Sequence, residues 1–216
     1  MTNIYFDFED GNGPVPAHQH PNGGGWVADT AKVYETSYVG PDAQVYGDAT
    51  VSGNARVYGN ATVSGDAWVY GYARVYGYAR VYGDAIVSGN AWVYGYARVY
   101  GDAIVYGDAW VGGNARVSDD ARVSDDARVY GNAIVYDDAW VGGNAWVGGN
   151  AWVGGNAWVY GDAEVSGDEV VNGDAWVSGN EVVNGDETEK ELIGIDVKDR
   201  IFINGKWYVE EVEDDE

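Results

Sequence analysis

Residues 85–108 read AIVSGN AWVYGY ARVYGD AIVYGD, four consecutive hexads that share one pattern. The same pattern, A-x-V-[YSG]-G-[DN], runs without insertion over residues 25–186, which makes 27 hexads in 162 residues. Val holds the third position in all 27 hexads, and Ala holds the first position in 23. A period this short decides the architecture, because one hexad is too small to bury an apolar face by itself and the units must stack.

Each hexad predicts a short strand followed by a turn. Ala and Val lie two residues apart and point to the same side of an extended chain, whereas the residue between them points to the other side. Gly at the fifth position of 21 hexads supplies a turn conformation with positive φ, and the Asp or Asn beside it suits a corner. Gly every six residues also excludes a helix. We therefore expect Ala and Val inside and the second residue of each hexad outside.

The hexads resemble the hexapeptide-repeat superfamily of left-handed parallel β-helices, in which an aliphatic residue is followed four positions later by a small one, as in Val57 and Ala61. The resemblance implies an all-β, single-stranded parallel β-helix (β-solenoid) with a left-handed course and three hexads per triangular coil. The 27 hexads then make about nine coils and a prism roughly 43 Å long, at about 4.8 Å between strands. The chain also looks like hexapeptide-repeat proteins of bacteriophages and prophages, which implies a viral origin.

The regions on either side of the hexads are expected to be caps, because a bare β-helix end exposes strand edges that would polymerise. Residues 1–24 hold a strand-like IYFDF and then a loop rich in Pro, Gly and His. Residues 187–216 hold two alternating runs around Asn204-Gly205, which predict a β-hairpin, and an acidic tail. Glu169 and Glu181 stand at inward positions and predict an opened or altered last coil, since a buried carboxylate without a partner is costly.

Composition and charge exclude several classes of protein. The chain has no Cys, which excludes disulfides and thiolate metal sites, and its 12 basic and 35 acidic residues give a net charge of −23. This acidity argues against nucleic acid or anionic membranes as direct partners and favours a basic protein. No apolar run is long enough for a membrane helix. The N-terminal sequence has no signal-peptide pattern, so we expect a cytoplasmic protein, in the host cytoplasm if a phage encodes it.

One outward column consists of carboxylates. Residues 18 apart lie above one another in a three-sided prism, so the corner positions can be read as columns. Six consecutive corner residues in one column are Asp48, Asp66, Asp84, Asp102, Asp120 and Asp138. Asp is a good corner residue in its own right, so this column is either a structural feature or a row of like charges that a cation or a basic partner would relieve. Arg80, Arg98 and Arg116 lie on the same side and are expected to neutralise it in part.

Two further columns are aromatic. The first runs Trp68, Ile86, Ile104, Arg122, Trp140, Trp158, Trp176. The second runs Arg56, Arg74, Trp92, Trp110, Arg128, Trp146 and is flanked by Tyr58, Tyr76 and Tyr94. These rings either stabilise neighbouring strands across the sheet or form an interface, and self-association into a homo-oligomer such as a dimer through a flat prism face is the simplest use.

Enzymatic function is disfavoured. The resemblance implies acyltransferases with a catalytic His and a protruding loop, or carbonic anhydrases with three His ligands, but the 27 hexads contain no His and no inserted loop. His18 and His20 are weak candidates for a metal site. We expect no catalytic residues, no metal and no cofactor.

The sequence leaves two non-enzymatic functions open. The first is an acidic inhibitor or decoy, encoded by a phage, that imitates nucleic acid and occupies a basic host protein such as a DNA-binding or defence protein. The second is an oligomeric structural scaffold or fibre module. A hexapeptide acyltransferase-like enzyme is the third and weakest reading.

Overall fold

The computed structural model describes residues 4–184 together with the backbone of 201–203 and 206–208. Its strands, in chain order, are β1 Tyr5–Phe6, β2 Val15–Gln19, β3 Trp26–Ala28, β4 Lys32–Val33, β5 Tyr38–Val39, β6 Gln44–Val45, β7 Thr50–Val51, β8 Arg56–Gly59, β9 Thr62–Val63, β10 Trp68–Val69, β11 Arg74–Gly77, β12 Arg80–Val81, β13 Ile86–Val87, β14 Trp92–Val93, β15 Arg98–Val99, β16 Ile104–Val105, β17 Trp110–Val111, β18 Arg116–Val117, β19 Arg122–Val123, β20 Arg128–Val129, β21 Ile134–Val135, β22 Trp140–Val141, β23 Trp146–Val147, β24 Trp152–Val153, β25 Trp158–Val159, β26 Glu164–Ser166, β27 Val170–Val171, β28 Trp176–Val177, β29 Val182–Asn184, β30 Ile201–Ile203 and β31 Lys206–Tyr208. The described part of the chain contains no helix, and so none that could cross a membrane.

The strands of successive hexads enter three parallel sheets in turn. Sheet 1 has the order β1-β2-β3-β6-β9-β12-β15-β18-β21-β24-β27. Sheet 2 runs β4-β7-β10-β13-β16-β19-β22-β25-β28, and sheet 3 runs β5-β8-β11-β14-β17-β20-β23-β26-β29. Three hexads therefore make one coil, and β3 to β29 form nine coils of a triangular β-solenoid, as the sequence predicts. The left-handed course stays a prediction.

Residues 18 apart are paired across neighbouring strands. In sheet 2, for example, Trp68 pairs with Ile86 and Val69 with Val87. This register keeps every third-position Val on the inward side and every second-position side chain on the outside, because a shift by one residue would exchange the two faces of the strand. The outward columns of the sequence are therefore real columns in the structure.

The core consists almost entirely of the Ala and Val of the hexads. From Ala43 to Val165, every first-position Ala and every third-position Val has no solvent exposure. Each fully buried Val side chain is worth roughly 1.5–3 kcal/mol of hydrophobic stabilisation. The small Ala side chains let the three sheets approach one another, and the interior leaves no room for a larger residue.

The turns adopt the predicted left-handed conformation. The fifth-position glycines from Gly47 to Gly179 have φ between 63° and 78°. Asp119, Asp125 and Asp137 occupy the same position in three hexads and have φ of 57°, 58° and 56°. Asp is among the few residues that tolerate this conformation, because its short polar side chain can bond locally. The Asp125 carboxylate does so by accepting hydrogen bonds from the Ser124 hydroxyl and the Gly143 N–H.

The fourth position of the hexad explains why Tyr and Gly alternate along a corner. A Cβ atom added to Gly112 would lie 2.2 Å from Cζ of Tyr94, whose ring covers this glycine from the preceding coil. The same ring meets Trp110 edge-on, with ring centroids 6.4 Å apart. Gly at this position thus makes space for an aromatic ring from the neighbouring coil.

The N-terminal cap differs in part from the prediction. A strand was expected in IYFDF, and β1 covers its Tyr5–Phe6. The segment expected to be a loop forms β2, which pairs antiparallel with both β1 and β3. This segment forms a strand in spite of its Pro, Gly and His residues, because the pairing of β2 with β3 covers the otherwise open edge of β3. Pro16 has no N–H to donate, but its carbonyl oxygen accepts a hydrogen bond from the Asp29 N–H.

The last coil is not opened, so this one of the two alternatives predicted from Glu169 and Glu181 is wrong. The carbonyl oxygens of both residues accept hydrogen bonds from the preceding coil, at 2.7 Å each, and the strands keep their register to Asn184. The backbone ladder does not depend on the side chain, and Glu169 remains only 2% exposed. Burial raises the pKa of the Glu181 carboxyl, and a hydrogen bond from the Ser178 N–H opposes this shift.

At the C-terminal end, β30 and β31 pair antiparallel, which agrees with the predicted hairpin. The turn residues Asn204 and Gly205 and the acidic tail lie outside the described residues.

Candidate binding surfaces

The predicted acidic column lies at the corner between sheet 1 and sheet 2. Its six members are all exposed: Asp48, Asp66, Asp84, Asp102, Asp120 and Asp138. Backbone hydrogen bonds set the coils above one another, with the N–H of Asp48 bonded to the Gly65 carbonyl and that of Asp66 to the Gly83 carbonyl. Within residues 4–184, none of these six carboxylates takes part in a side-chain hydrogen bond or an ion pair. The column is therefore a row of stacked negative charges open to solvent.

Another corner shows how the chain satisfies stacked polar groups elsewhere. Asn114 donates a hydrogen bond to Asn132, Asn132 to Asn150, and Asn150 to Asp168, with distances of 2.7–3.0 Å. This amide ladder ends on a carboxylate, which can only accept. The acidic column contains no such donor between its members, so its charges have no partner among residues 4–184.

Sheet 2 carries the first aromatic column, which borders the acidic column. Each Asp of the acidic column is followed two residues later by an outward side chain of sheet 2, as in Asp66 and Trp68. Trp68, Trp158 and Trp176 are 54%, 43% and 60% exposed. Trp140 is half-buried and donates from Nε1 to the Ser124 hydroxyl at 2.9 Å. The column is apolar from Trp68 to Trp176 except at Arg122.

Sheet 3 carries the second aromatic column, whose groups contact one another. The Arg74 guanidinium lies 4.8 Å from the ring centroid of Trp92, and Arg128 lies 5.4 Å from Trp110 and 5.1 Å from Trp146. Trp92 stacks on Trp110 with centroids 4.9 Å apart. The flanking ladder is also stacked, at 5.0 Å between Tyr58 and Tyr76 and 5.5 Å between Tyr76 and Tyr94. These contacts support the cross-strand interpretation for sheet 3.

The arginines of sheet 1 do not neutralise the acidic column as expected. Arg80, Arg98 and Arg116 stack along the middle of sheet 1, and none of them lies within 4 Å of a carboxylate oxygen in the described part of the chain. The reason is geometric: a second-position side chain stands out from the middle of its strand, whereas the Asp side chains project from the corner. The only ion pair found in residues 4–184 joins His18 and Asp29, at 2.9 Å.

A polar groove adjoins these arginines, and the sequence did not predict it. It has a volume of about 420 Å³ and extends from the N-terminal cap along the first coils of sheet 1. Its walls include Phe8, Glu9, Asp42, Gln44, Tyr46, Asn60, Thr62, Ser64, Arg80, Tyr82 and Arg98. The β1–β2 hairpin overhangs this end of sheet 1, held by stacking of Phe6 on Trp26 and of Phe8 against Tyr46. The hexads alone contain no signal for this overhang.

The Tyr82 hydroxyl reports the electrostatics of the groove. Burial raises its pKa and the neighbouring Tyr100 raises it further, while the guanidiniums of Arg98, Arg80 and Arg116 act in the opposite direction. Tyr82 and Tyr100 stack with centroids 5.0 Å apart. The positive charges of these arginines therefore influence the electrostatic potential at the wall of the groove.

The two histidines do not form a metal site with other residues. His18 Nδ1 lies 2.9 Å from Asp29 Oδ1, and the buried His20 has Nδ1 beside the backbone of Asn22. No group of three His, Cys, Asp or Glu side chains within residues 4–184 is arranged to hold a metal ion.

Comparison with known proteins gives one family match. A family model described as the YdcK β-solenoid repeat matches residues 43–57, 55–71, 79–95, 97–113, 115–129 and 127–143. The comparison with curated proteins gave no match.

Comparison with solved structures gives matches at low sequence identity. LpxA from Acinetobacter baumannii is 15% identical, with 71% of each chain covered and a TM-score of 0.42. The UDP-N-acetylglucosamine acyltransferase of Arabidopsis is 14% identical, with 68% of this chain and 69% of that chain covered and a TM-score of 0.46. The Francisella novicida enzyme of the same name is 15% identical, with 68% and 64% covered and a TM-score of 0.34. Similarity at these values says nothing about activity.

Proposed function

We propose, from the β-solenoid fold and the match of its coils to the YdcK β-solenoid repeat, that the chain is a non-enzymatic binding protein for a basic protein partner. The observation that carries this proposal is the column of six exposed aspartates, which have no side-chain hydrogen bond or ion pair within residues 4–184. Stacked like charges at about 4.8 Å repel one another, and a row of Lys or Arg from a partner would relieve that repulsion.

The surface of sheet 2, next to the acidic column, provides apolar area for the same partner. The acidic column runs along the edge of sheet 2, whose outward residues include exposed tryptophans. A partner that carries basic side chains beside an apolar strip would match both features, and aromatic residues are typical of interface hot spots. The absence of His and of inserted loops from the 27 hexads favours binding over acyl transfer.

The finer proposal is an inhibitor or decoy, encoded by a phage, that acts on a DNA-binding or defence protein in the host cytoplasm. The hexads carry 8 basic and 21 acidic residues, a net −13. Duplex DNA carries about 25 charges over the same length of roughly 43 Å, so the rod as a whole has about half its charge density. Imitation of a nucleic-acid backbone would therefore use the acidic column alone.

The test of this proposal removes charge from the middle of the column. Asp84→Asn, Asp102→Asn and Asp120→Asn together should weaken binding of a partner captured from host lysate by at least about tenfold at low salt. The affinity of the unchanged protein should also fall steeply as salt rises, because exposed charges are screened. Titration calorimetry at several salt concentrations measures both effects.

The matched control changes three aspartates of a different corner. Asp108→Asn, Asp126→Asn and Asp162→Asn alter the net charge equally, at the corner between sheet 2 and sheet 3. This control should keep most of the affinity. A partner whose affinity does not depend on salt, or equal losses in both triple variants, would contradict the proposal.

A second candidate is an oligomeric scaffold or fibre module, favoured by the exposure of Trp158 and Trp176 on sheet 2. A soluble monomer rarely exposes a continuous apolar strip of this kind, and pairing of two copies through this face would cover it. Rings contact one another on both sheets, but Trp158 and Trp176 of sheet 2 are 43% and 60% exposed, against 38% for Trp110 of sheet 3. This proposal therefore places the contact on sheet 2.

Trp158→Ser with Trp176→Ser should dissociate such an oligomer into monomers in sedimentation velocity experiments. Trp92→Ser with Trp110→Ser, on sheet 3, is the matched control and should leave the oligomer intact. A monomer at high concentration for the unchanged protein would rule the scaffold out.

A further inference from the structure

The seven arginines of the hexads differ in what they contact. On sheet 3, Arg56, Arg74 and Arg128 lie over aromatic rings at 4.8–5.8 Å. On sheet 1, Arg80, Arg98 and Arg116 are exposed, and none of them has a hydrogen bond, an ion pair or a ring contact in the described residues. Three positive charges thus lie in a row without a partner, in a chain whose net charge is −23.

The sheet register forces these like charges together. Arg80 pairs with Arg98, and Arg98 pairs with Arg116, in adjacent parallel strands. Neighbouring strands are about 4.8 Å apart, so the guanidinium groups repel one another unless an anion lies between them. Arginine is also the side chain best suited to bind carboxylate or phosphate oxygens, because its planar fork donates two parallel hydrogen bonds.

Two of these arginines form one end of the groove beneath the N-terminal cap. Arg80 and Arg98 line it together with the amide and hydroxyl groups of Gln44, Asn60, Thr62 and Ser64. The opposite end is bounded by Phe8 and Glu9 of the hairpin. The Glu9 backbone is fixed in a left-handed conformation with φ of 58°, and its N–H donates to Asp7 Oδ1 at 2.9 Å. The hairpin segment that contains Phe8 and Glu9 therefore forms an ordered wall of the groove.

We propose that this groove binds a small anion that carries two or more negative charges, with its anionic groups on Arg80 and Arg98. The volume of about 420 Å³ suits a small molecule. The carboxylates of Glu9 and Asp42 lie at the capped end, repel an anion there, and direct its charged groups toward the arginines. The net charge of −23 disfavours an extended polyanion. The site is separate from the acidic column and does not depend on the partner proposed above.

The test uses inorganic pyrophosphate and citrate as separate probes in titration calorimetry of the full chain at low salt. At least one of the two should bind with a Kd below about 1 mM. Arg80→Gln with Arg98→Gln should weaken that binding by at least about tenfold, because both charge-assisted contacts are lost. Gln already occupies the same outward position at Gln44 in this sheet, so the double variant should fold, which circular dichroism would check.

The matched control is Arg56→Gln with Arg74→Gln, which removes two stacked arginines of sheet 3. This control should bind the probe as the unchanged protein does. Tighter binding of pyrophosphate would assign the ligand to phosphate chemistry, and tighter binding of citrate to carboxylate chemistry. The proposal is overturned if neither anion binds, or if the Arg80/Arg98 variant and the control bind equally well.

Discussion

Replacement of Ala97 by Glu should lower the free energy of unfolding by about 4 kcal/mol or more, and should be the most damaging change considered for this chain. Ala97 has no solvent exposure and lies in the inward column of sheet 1, between Ala79 and Ala115. A Glu side chain at this position would need space that the Ala–Val interior does not have, and its carboxylate would lose hydration without gaining a partner. Urea unfolding followed by circular dichroism measures the loss.

The repeat architecture sharpens this prediction. Each coil contacts only its two neighbours, so a disrupted central coil separates the solenoid into two shorter stacks. Native Glu169 occupies the same inward column, directly before β27, which is the last strand of sheet 1 among the described residues. The interior thus accepts a carboxylate at the end of the rod.

The control for Ala97→Glu is Tyr96→Glu, at the preceding residue. Tyr96 is 60% exposed and stacks on Tyr78 with centroids 5.0 Å apart. Its replacement should change the free energy of unfolding by less than about 1 kcal/mol. Similar losses for the two variants would mean that the interior is not the source of stability.

The hexads were sufficient to predict the core and the inward and outward positions. The reason is that every interaction that fixes them is repeated in each coil: Val87 packs inward for the same reason as Val69 and Val105. The positive φ of the fifth position and the alternation of inward and outward residues are also local properties of six residues. The three sheets and the columns of residues 18 apart depend on three hexads per coil, which only the resemblance to hexapeptide-repeat proteins implied.

The groove and the contacts of the arginines could not be predicted in this way. The groove depends on a hairpin whose position is set by Phe6 stacking on Trp26, a contact between residues 20 apart that belongs to no repeat. Arg74 and Arg80 occupy equivalent positions in successive hexads, but Arg74 lies over Trp92 and Arg80 over no ring. The difference comes from the residue in the adjacent coil. Arg74 is paired with Trp92, whereas Arg80 is paired with Thr62 and Arg98.

A strict repeat has a consequence for function. Because any side chain is stacked on its equivalent in the next coil, a charged group meets a like charge unless the neighbouring coil changes its residue. Sheet 3 resolves this by placing rings beside arginines, and the amide ladder resolves it with three successive Asn side chains that donate to one another and finally to Asp168. The acidic column and the arginines of sheet 1 have no such arrangement. They are the places where a ligand from outside would lower the electrostatic energy most.

Substitution of a turn glycine should also lower the free energy of unfolding strongly, and the native Asp residues at equivalent turn positions suggest the control variant. Gly83 has φ of 74°, and a Cβ atom added to it would lie 3.0 Å from the backbone nitrogen of Gly101. Gly83→Val should cost about 3 kcal/mol, since the left-handed conformation costs about 1–2 kcal/mol for a residue with Cβ, and a branched side chain adds a clash with the next coil.

Gly83→Asp should cost much less than Gly83→Val, about 1 kcal/mol, because Asp is the residue that tolerates this conformation. Asp119, Asp125 and Asp137 hold the same position with φ of 56–58°, so the coil spacing already accommodates their Cβ atoms. Thermal unfolding of the two variants would separate the effects. Equal losses would show that contact with the next coil dominates, whereas a large loss for Val alone would show that the left-handed turn decides which residues can occupy the fifth position of a hexad.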